Sequence, residues 1–143
     1  GQKDYQQWKV IEAMAASLAM PVQIVAHPTV READGLAISS RNAYLTDDAR
    51  AHAVGLFKAL SAARELIETE GETSAESVES AMRQVMIAHH LRVDYAAVRH
   101  PQTLATLDCI EPALTGGVVA LVAGRVGADD GGVRLIDNMV LGA

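Results

Sequence analysis

The sequence predicts an α/β chain in which one helix-then-strand unit precedes a small α+β domain of two helices packed on a three-stranded, largely antiparallel sheet. Three observations carry this expectation. Apolar residues recur at three- and four-residue spacing from Asp4 to Met20, and Pro21 then opens a short β-type run. Two further amphipathic stretches lie between Thr46 and His90, each with its own start signal. From Arg92 onward the period falls towards two and valine dominates. One helix and one strand cannot bury both faces of a wound sheet, so residues 1–28 are expected to be the C-terminal piece of a larger Rossmann-like domain. The domain boundary is placed near Pro28, and residues 29–143 form the α+β part.

In the first helix, Trp8, Ile11, Ala15 and Leu18 share a face, and Asp4 with Gln7 has the pattern of a capping box. Read without other evidence, Asp4 is an N-cap and Gln7 a polar surface residue. Val22–Ala26 is expected to be a strand. Thr46 is positioned to cap the next helix, with Asp47 and Asp48 where the helix dipole favours negative charge. Ala53, Leu56, Phe57, Leu60, Ala63, Leu66 and Ile67 then form one face of a long helix ending near Gly71. Thr73 and Glu76 make a second capping box, followed by Val78, Met82, Val85 and Met86 as core positions. Val93, Tyr95 and Ala97 alternate as a first strand. Residues 117–126 and 133–140 follow as a hairpin about Asp130-Gly131-Gly132.

With 143 residues, half of them hydrophobic, the chain has room for a real core. Its net charge of −6 argues against a general nucleic-acid partner, which would need a basic face. No apolar run has the length of a membrane span, so no membrane partner is expected. Cys109 stands alone, which excludes an internal disulfide and suits a reducing, cytoplasmic compartment. It lies among apolar residues between strand-like segments and reads as inert. The histidines His27, His52, His89, His90 and His100 form no HExxH pattern and have no cysteine pair to join, so no protein-borne metal site is expected. No G-x-S-x-G elbow and no Walker A sequence is present. The first residue is a glycine inside a motif rather than a methionine, which suggests a truncated or cleaved product.

Two loops stand out from this background. Arg31–Tyr44 lacks a sustained apolar period, carries a turn signal at Asp34-Gly35, and sets Ser39 and Ser40 beside Arg41. Hydroxyls donate to phosphate oxygens, and a guanidinium meets two such oxygens in a charge-assisted fork. Such Ser-Ser-Arg-Asn runs also occur in ordinary solvated loops. The second loop, Gly1-Gln2-Lys3-Asp4, places a lysine just before a helix, where free N–H groups favour anions.

Taken together, GQKDYQQ at residues 1–7, PTVREADGLAISSRN at residues 28–42, and Leu135-Ile136-Asp137-Asn138 closely resemble the pantothenate synthetase family. These are ATP-dependent ligases that join pantoate to β-alanine. The likeness covers essentially the whole chain but only about the second half of the usual enzyme. It implies adenylate chemistry, in which pantoate's carboxylate attacks the α-phosphate of ATP and the amine of β-alanine then displaces AMP. The resemblance implies that Lys3, Ser39, Ser40 and Arg41 stabilise the phosphates. It places Gly1, Gln2, Asp4, Val30 and Ile38 around the ribose and adenine, and Gln7 on pantoate. Magnesium would bridge phosphate oxygens with few or no ligands from this chain, and the intact enzyme would be a homodimer. The SSRN loop would reach back over the first domain as a lid. The family's HxGH-type histidine motif falls in the missing N-terminal half, a required partner, so this chain alone is expected to be inactive. Two rival readings are a lid or dimerisation domain with at most weak nucleotide binding, and an adenylate-forming enzyme acting on another acid.

Overall fold

Alanine, leucine and methionine at helical spacing between Thr46 and Leu91 build the layer on which the sheet is laid. The computed structural model describes residues 1–111, 116–127 and 131–142. Helix α1 is Tyr5–Ser17, and a 3-10 turn spans Ser40–Tyr44. Helices α2 (Asp47–Ala53) and α3 (Gly55–Arg64) follow, the latter running into a π-helical turn over Glu65–Thr69, and α4 is Ala75–Ala88. The strands are β1 (Arg92–Arg99), β2 (Val118–Val126) and β3 (Val133–Leu141).

The Thr46 hydroxyl accepts the Ala49 N–H at 3.2 Å, with Asp47 and Asp48 in the first turn as expected. The single long helix read from the sequence is instead interrupted between α2 and α3. Gly55 sits at the break because the backbone there touches the end of α4: a Cβ on Gly55 would lie 2.4 Å from Cβ of His89. The cap of α4 is also corrected. Ser74 rather than Thr73 accepts from the helix, at the Ser77 N–H, while the Thr73 carbonyl accepts the Ile110 N–H.

The three strands run in the order β1-β2-β3, each pair antiparallel. Gly131 and Gly132 precede β3 with φ of +104° and +55°, conformations that glycine adopts without steric cost. Asp130, the other residue of the expected turn, lies outside the described residues. Ala96, Val98, Val118, Ala120, Val122, Leu135 and Leu141 join Leu56, Leu60, Val78, Met82 and Met86 in one core. Simple alternation in β1 does not hold, because the register shifts between Val93 and Tyr95. Beyond that irregularity Ala96, Ala97 and Val98 are all buried, whereas Tyr95 is exposed.

One expectation at the amino-terminal end fails. Val22–Ala26 forms no strand, since among the described residues no strand pairs with it, and Val22 and Val25 stand exposed. On α1 only Tyr5 and Ala15 are buried, while Ile11, Leu18, Val10 and Met14 remain exposed. What holds α1 is its first turn. The Tyr5 hydroxyl donates to the Pro101 carbonyl at 2.9 Å, and Lys9 lies 3.9 Å from the Trp8 ring centroid while bonding Gln102. Asp4 occupies the N-cap position but makes no side-chain cap bond, so the expected Asp4–Gln7 capping box does not form. Among the described residues no helix is long and apolar enough to cross a membrane.

His89 gives the helical layer a pH dependence. Desolvation, followed by the nearby Lys58, His52 and His90 charges, holds its imidazole below the ordinary value of 6.5. On acidification the unfolded chain therefore takes up this proton first, and stability falls as pH drops through 6.5 towards the lowered folded pKa. Thermal melts between pH 7.5 and 5.5 are expected to show this fall. His89→Gln should flatten it, and an unchanged slope in that variant would remove His89 as its source.

Candidate functional site

The loop before the 3-10 turn is shaped by short-range bonds. Arg31 and Ala37 form an antiparallel bridge, the Ile38 N–H donates to the Val30 carbonyl, and the Glu32 N–H donates to the Leu36 carbonyl. Gly35 turns the tip at φ +96°, and its bare Cα faces Phe57, whose ring would lie 2.0 Å from any Cβ there. Asp34 accepts the Leu36 N–H and the Arg50 guanidinium. The Arg50 hydrogen bond is the main reason that the Asp34 carboxyl is held below its ordinary value. The turn read at Asp34-Gly35 is therefore present.

Arg31 fastens this loop to the sheet. Its guanidinium donates to both oxygens of Asp137, at 2.6 and 3.0 Å, and also to the carbonyls of Gly35 and Asn138. Phe57 stacks beneath it at 4.9 Å. Burial pushes the Asp137 carboxyl above the usual carboxylate range, and Arg31 offsets part of the rise. The next residue in β3 fastens the other loop: the Asn138 side-chain amide donates to the carbonyls of Gln2, at 3.0 Å, and Lys3, at 2.7 Å. Successive strand residues face opposite ways. Asp137 thus pairs with Val122 on the core side and Asn138 with Leu121 on the open side.

These fastenings bring most of the sequence-predicted residues together. Gly1, Gln2, Lys3, Asp4, Val30 and Ile38 line one cavity of about 310 Å³ with His27, Pro28 and Thr29. The Gln2 N–H donates to the His27 carbonyl at its edge. Lys3 and Asp4 also border a larger cavity of about 570 Å³ on the open face of the sheet, together with Gln7, Tyr95, Arg99 and Arg134. Ser39, Ser40 and Arg41 line neither cavity. Ser39 caps the 3-10 turn by accepting the Arg41 N–H at 3.2 Å, and the Arg41 guanidinium donates to the Arg134 carbonyl at the same distance.

Periodicity and motif spacing do not single out Arg31, Asp137 or Asn138 as anchors. The available signal is an Asp-Asn pair inside a strand of apolar residues, where both side chains are buried and need partners. Among the described residues no group of three or more His, Cys, Asp or Glu side chains could hold a metal ion. Cys109 is exposed rather than buried among apolar neighbours.

Two loops are thus tied to one strand beside a pair of adjoining cavities. The pantoate-beta-alanine ligase family profile matches residues 1–140, and the chain belongs to that family. Pantothenate synthetase of Chloroflexus aggregans is 47% identical over 142 residues, covering 99% of this chain and 48% of the relative. That of Magnetococcus marinus is 46% identical, covering 100% and 46%. Among solved structures, pantothenate synthetase from Thermus thermophilus superposes with a TM-score of 0.85 at 41% identity, covering 98% of this chain and 48% of the other. A pantoate-beta-alanine ligase from Francisella tularensis shares the fold, at TM-score 0.62 and 23% identity over 98% of this chain and 41% of its own. The chain spans about half the length of the relatives that it matches and corresponds to their carboxyl-terminal half.

Removing Arg31 would leave the Asp137 carboxylate buried without its counter-charge. Arg31→Ala is expected to cost about 3 kcal/mol, the low end for breaking a buried pair, because the Arg31 side chain keeps some exposure. The loss should be greater at pH 8 than at pH 5. With the folded-state pKa of Asp137 raised, stability is recovered as pH falls through it and the unpaired charge is neutralised. Urea unfolding at both pH values measures this, and equal losses would contradict it.

Proposed function

We propose that this chain supplies one wall of the active site of an ATP-dependent ligase that condenses pantoate with β-alanine. The observation that carries the proposal is the shared cavity of Gly1, Gln2, Lys3, Asp4, Val30 and Ile38. It adjoins through Lys3 and Asp4 the cavity that holds Gln7. In this reading Gly1, Gln2, Asp4, Val30 and Ile38 bind the nucleoside, and Gln7 offers both an amide donor and an acceptor to pantoate. Lys3 and Arg41 stabilise the phosphates by charge as it develops, and the hydroxyls of Ser39 and Ser40 by donating to phosphate oxygens. The pantoate carboxylate oxygen attacks the α-phosphorus and pyrophosphate leaves. The β-alanine amine then attacks the acyl carbon, AMP leaves, and the amine proton is lost. Chemistry of this kind needs positioning and charge neutralisation rather than a covalent nucleophile. The Francisella tularensis relative was solved complexed with beta-gamma ATP and beta-alanine.

Asp4 is the only carboxylate among the proposed site residues, so this chain would supply few or no ligands to a magnesium ion held chiefly by the ATP phosphates. No step is therefore assigned to the metal. Residues 1–28 are read from their helix-then-strand pattern as belonging with a Rossmann-like domain and the intact ligase as cytoplasmic from its lone cysteine, while a homodimer is what the family resemblance implies. A histidine motif on the amino-terminal half would complete the site, and this chain alone would then be inactive. The exposed apolar side of α1, Val10, Met14 and Leu18, favours one second reading: by itself the chain is a lid or dimerisation domain with weak nucleotide binding.

Isotope exchange between pyrophosphate and ATP in the intact enzyme tests the ligase reading. Exchange should depend on pantoate and fall roughly ten- to a hundredfold in Arg41→Ala, as loss of one charge-assisted contact of about 1.5–3 kcal/mol implies. Exchange driven equally by another hydroxy acid would reassign the substrate. Unchanged exchange in Arg41→Ala would remove that residue from the site.

A further inference from the structure

We propose that Asp137 and Asn138 are a paired positioning device that fixes the separation of the two phosphate-holding segments. The proposal rests on the ligase reading above and assigns roles to two residues outside the proposed substrate contacts, both of which border the larger cavity. Asn138 suits its place because one amide nitrogen carries two protons, and here they serve two successive carbonyls, those of Gln2 and Lys3. The grip is on the main chain, so it sets where the Lys3 side chain starts while leaving its amine free for a phosphate.

Asp137 acts in the other direction. Its two bonds to Arg31 are charge-assisted, and the Arg31 backbone bridges Ala37, next to Ile38 and the Ser39–Arg41 segment. The same carboxylate accepts the Asn138 N–H at 2.8 Å, which stiffens the peptide that carries the second anchor. Arg41 also bonds back to β3 at the Arg134 carbonyl. One strand therefore holds Lys3 from its open face and the serine-arginine segment from its core face and backbone. The distance between the cation on one loop and the cation on the other is fixed by consecutive residues of a hydrogen-bonded strand.

A misplacement of about 1 Å in such a site costs up to roughly a hundredfold in rate. In the intact ligase, Asn138→Ala is expected to lower kcat by about ten- to a hundredfold, with the KM for pantoate changed less, because Gln7 lies on α1 beyond the grip. The diagnostic measurement repeats Asn138→Ala in a Lys3→Ala background. If Asn138 acts by positioning Lys3, most of its effect disappears there. Losses that multiply independently would overturn the proposal.

Should Asn138→Ala fail to fold, exchange of the Asn138 side-chain amide protons in the wild-type protein, followed by NMR, provides the test. Exchange clearly slower than that of the exposed Gln6 and Gln7 amides is the expected result, and equal exchange would overturn the grip. Slow exchange in an intact protein with no pantoate-dependent turnover would defeat the ligase reading and not the grip. Fast exchange with turnover intact would defeat the positioning role alone.

Discussion

The contact on which the rest of the site depends is the one between Arg31 and Asp137. A carboxylate on the core side of β3 is costly unless its charge is met and its lone pairs are filled. Two guanidinium bonds and the Asn138 N–H do this, and Phe57 backs the guanidinium from α3. Satisfying that buried charge draws the Arg31 loop onto the edge of the sheet. The loop also buries Leu36 in the core, and the ion pair adds a directed contact to that burial.

The helical layer serves the same end from below. Leu56, Leu60, Val78, Met82 and Met86 fix the height of β2 and β3, and Phe57 and Gly35 fix the approach of the loop to α3. A bulkier residue at position 35 would meet the Phe57 ring and push the loop away from Asp137. On the opposite face of the sheet, Tyr5 and its bond to Pro101 keep the first turn of α1 above Tyr95 and Leu121. The larger cavity lies between them. The core thus sets the spacing of the two loops.

Much of this was legible in the sequence where a local rule and a long-range need agree. The Thr46 cap, the α4 core positions, the β2–β3 antiparallel pairing and the Asp34-Gly35 turn follow from spacing and turn chemistry. Other features depended on contacts that periodicity cannot reveal. The break before Gly55 is set by His89, far along the chain, and the cap at Ser74 rather than Thr73 is a choice between adjacent hydroxyls. The strand pattern at Val22–Ala26 is sound as a pattern, but no neighbouring strand pairs with it here. That the motif residues around Lys3 and Ile38 lie close together was legible, and they share one cavity. The anchors Arg31, Asp137 and Asn138 were not, because their importance lies in partners more than a hundred positions away.

The central claim is that these tethered loops are one wall of a ligase site that another part of the protein completes. Its most direct measurement is a calorimetric titration of this chain with ATP and magnesium, with pantothenate formation followed in parallel, before and after adding the amino-terminal half of the family's enzyme. Nucleotide binding strengthened by that half, with turnover appearing only in the combination, is the predicted result. Turnover by the chain alone, or no binding and no turnover in the combination, would contradict it.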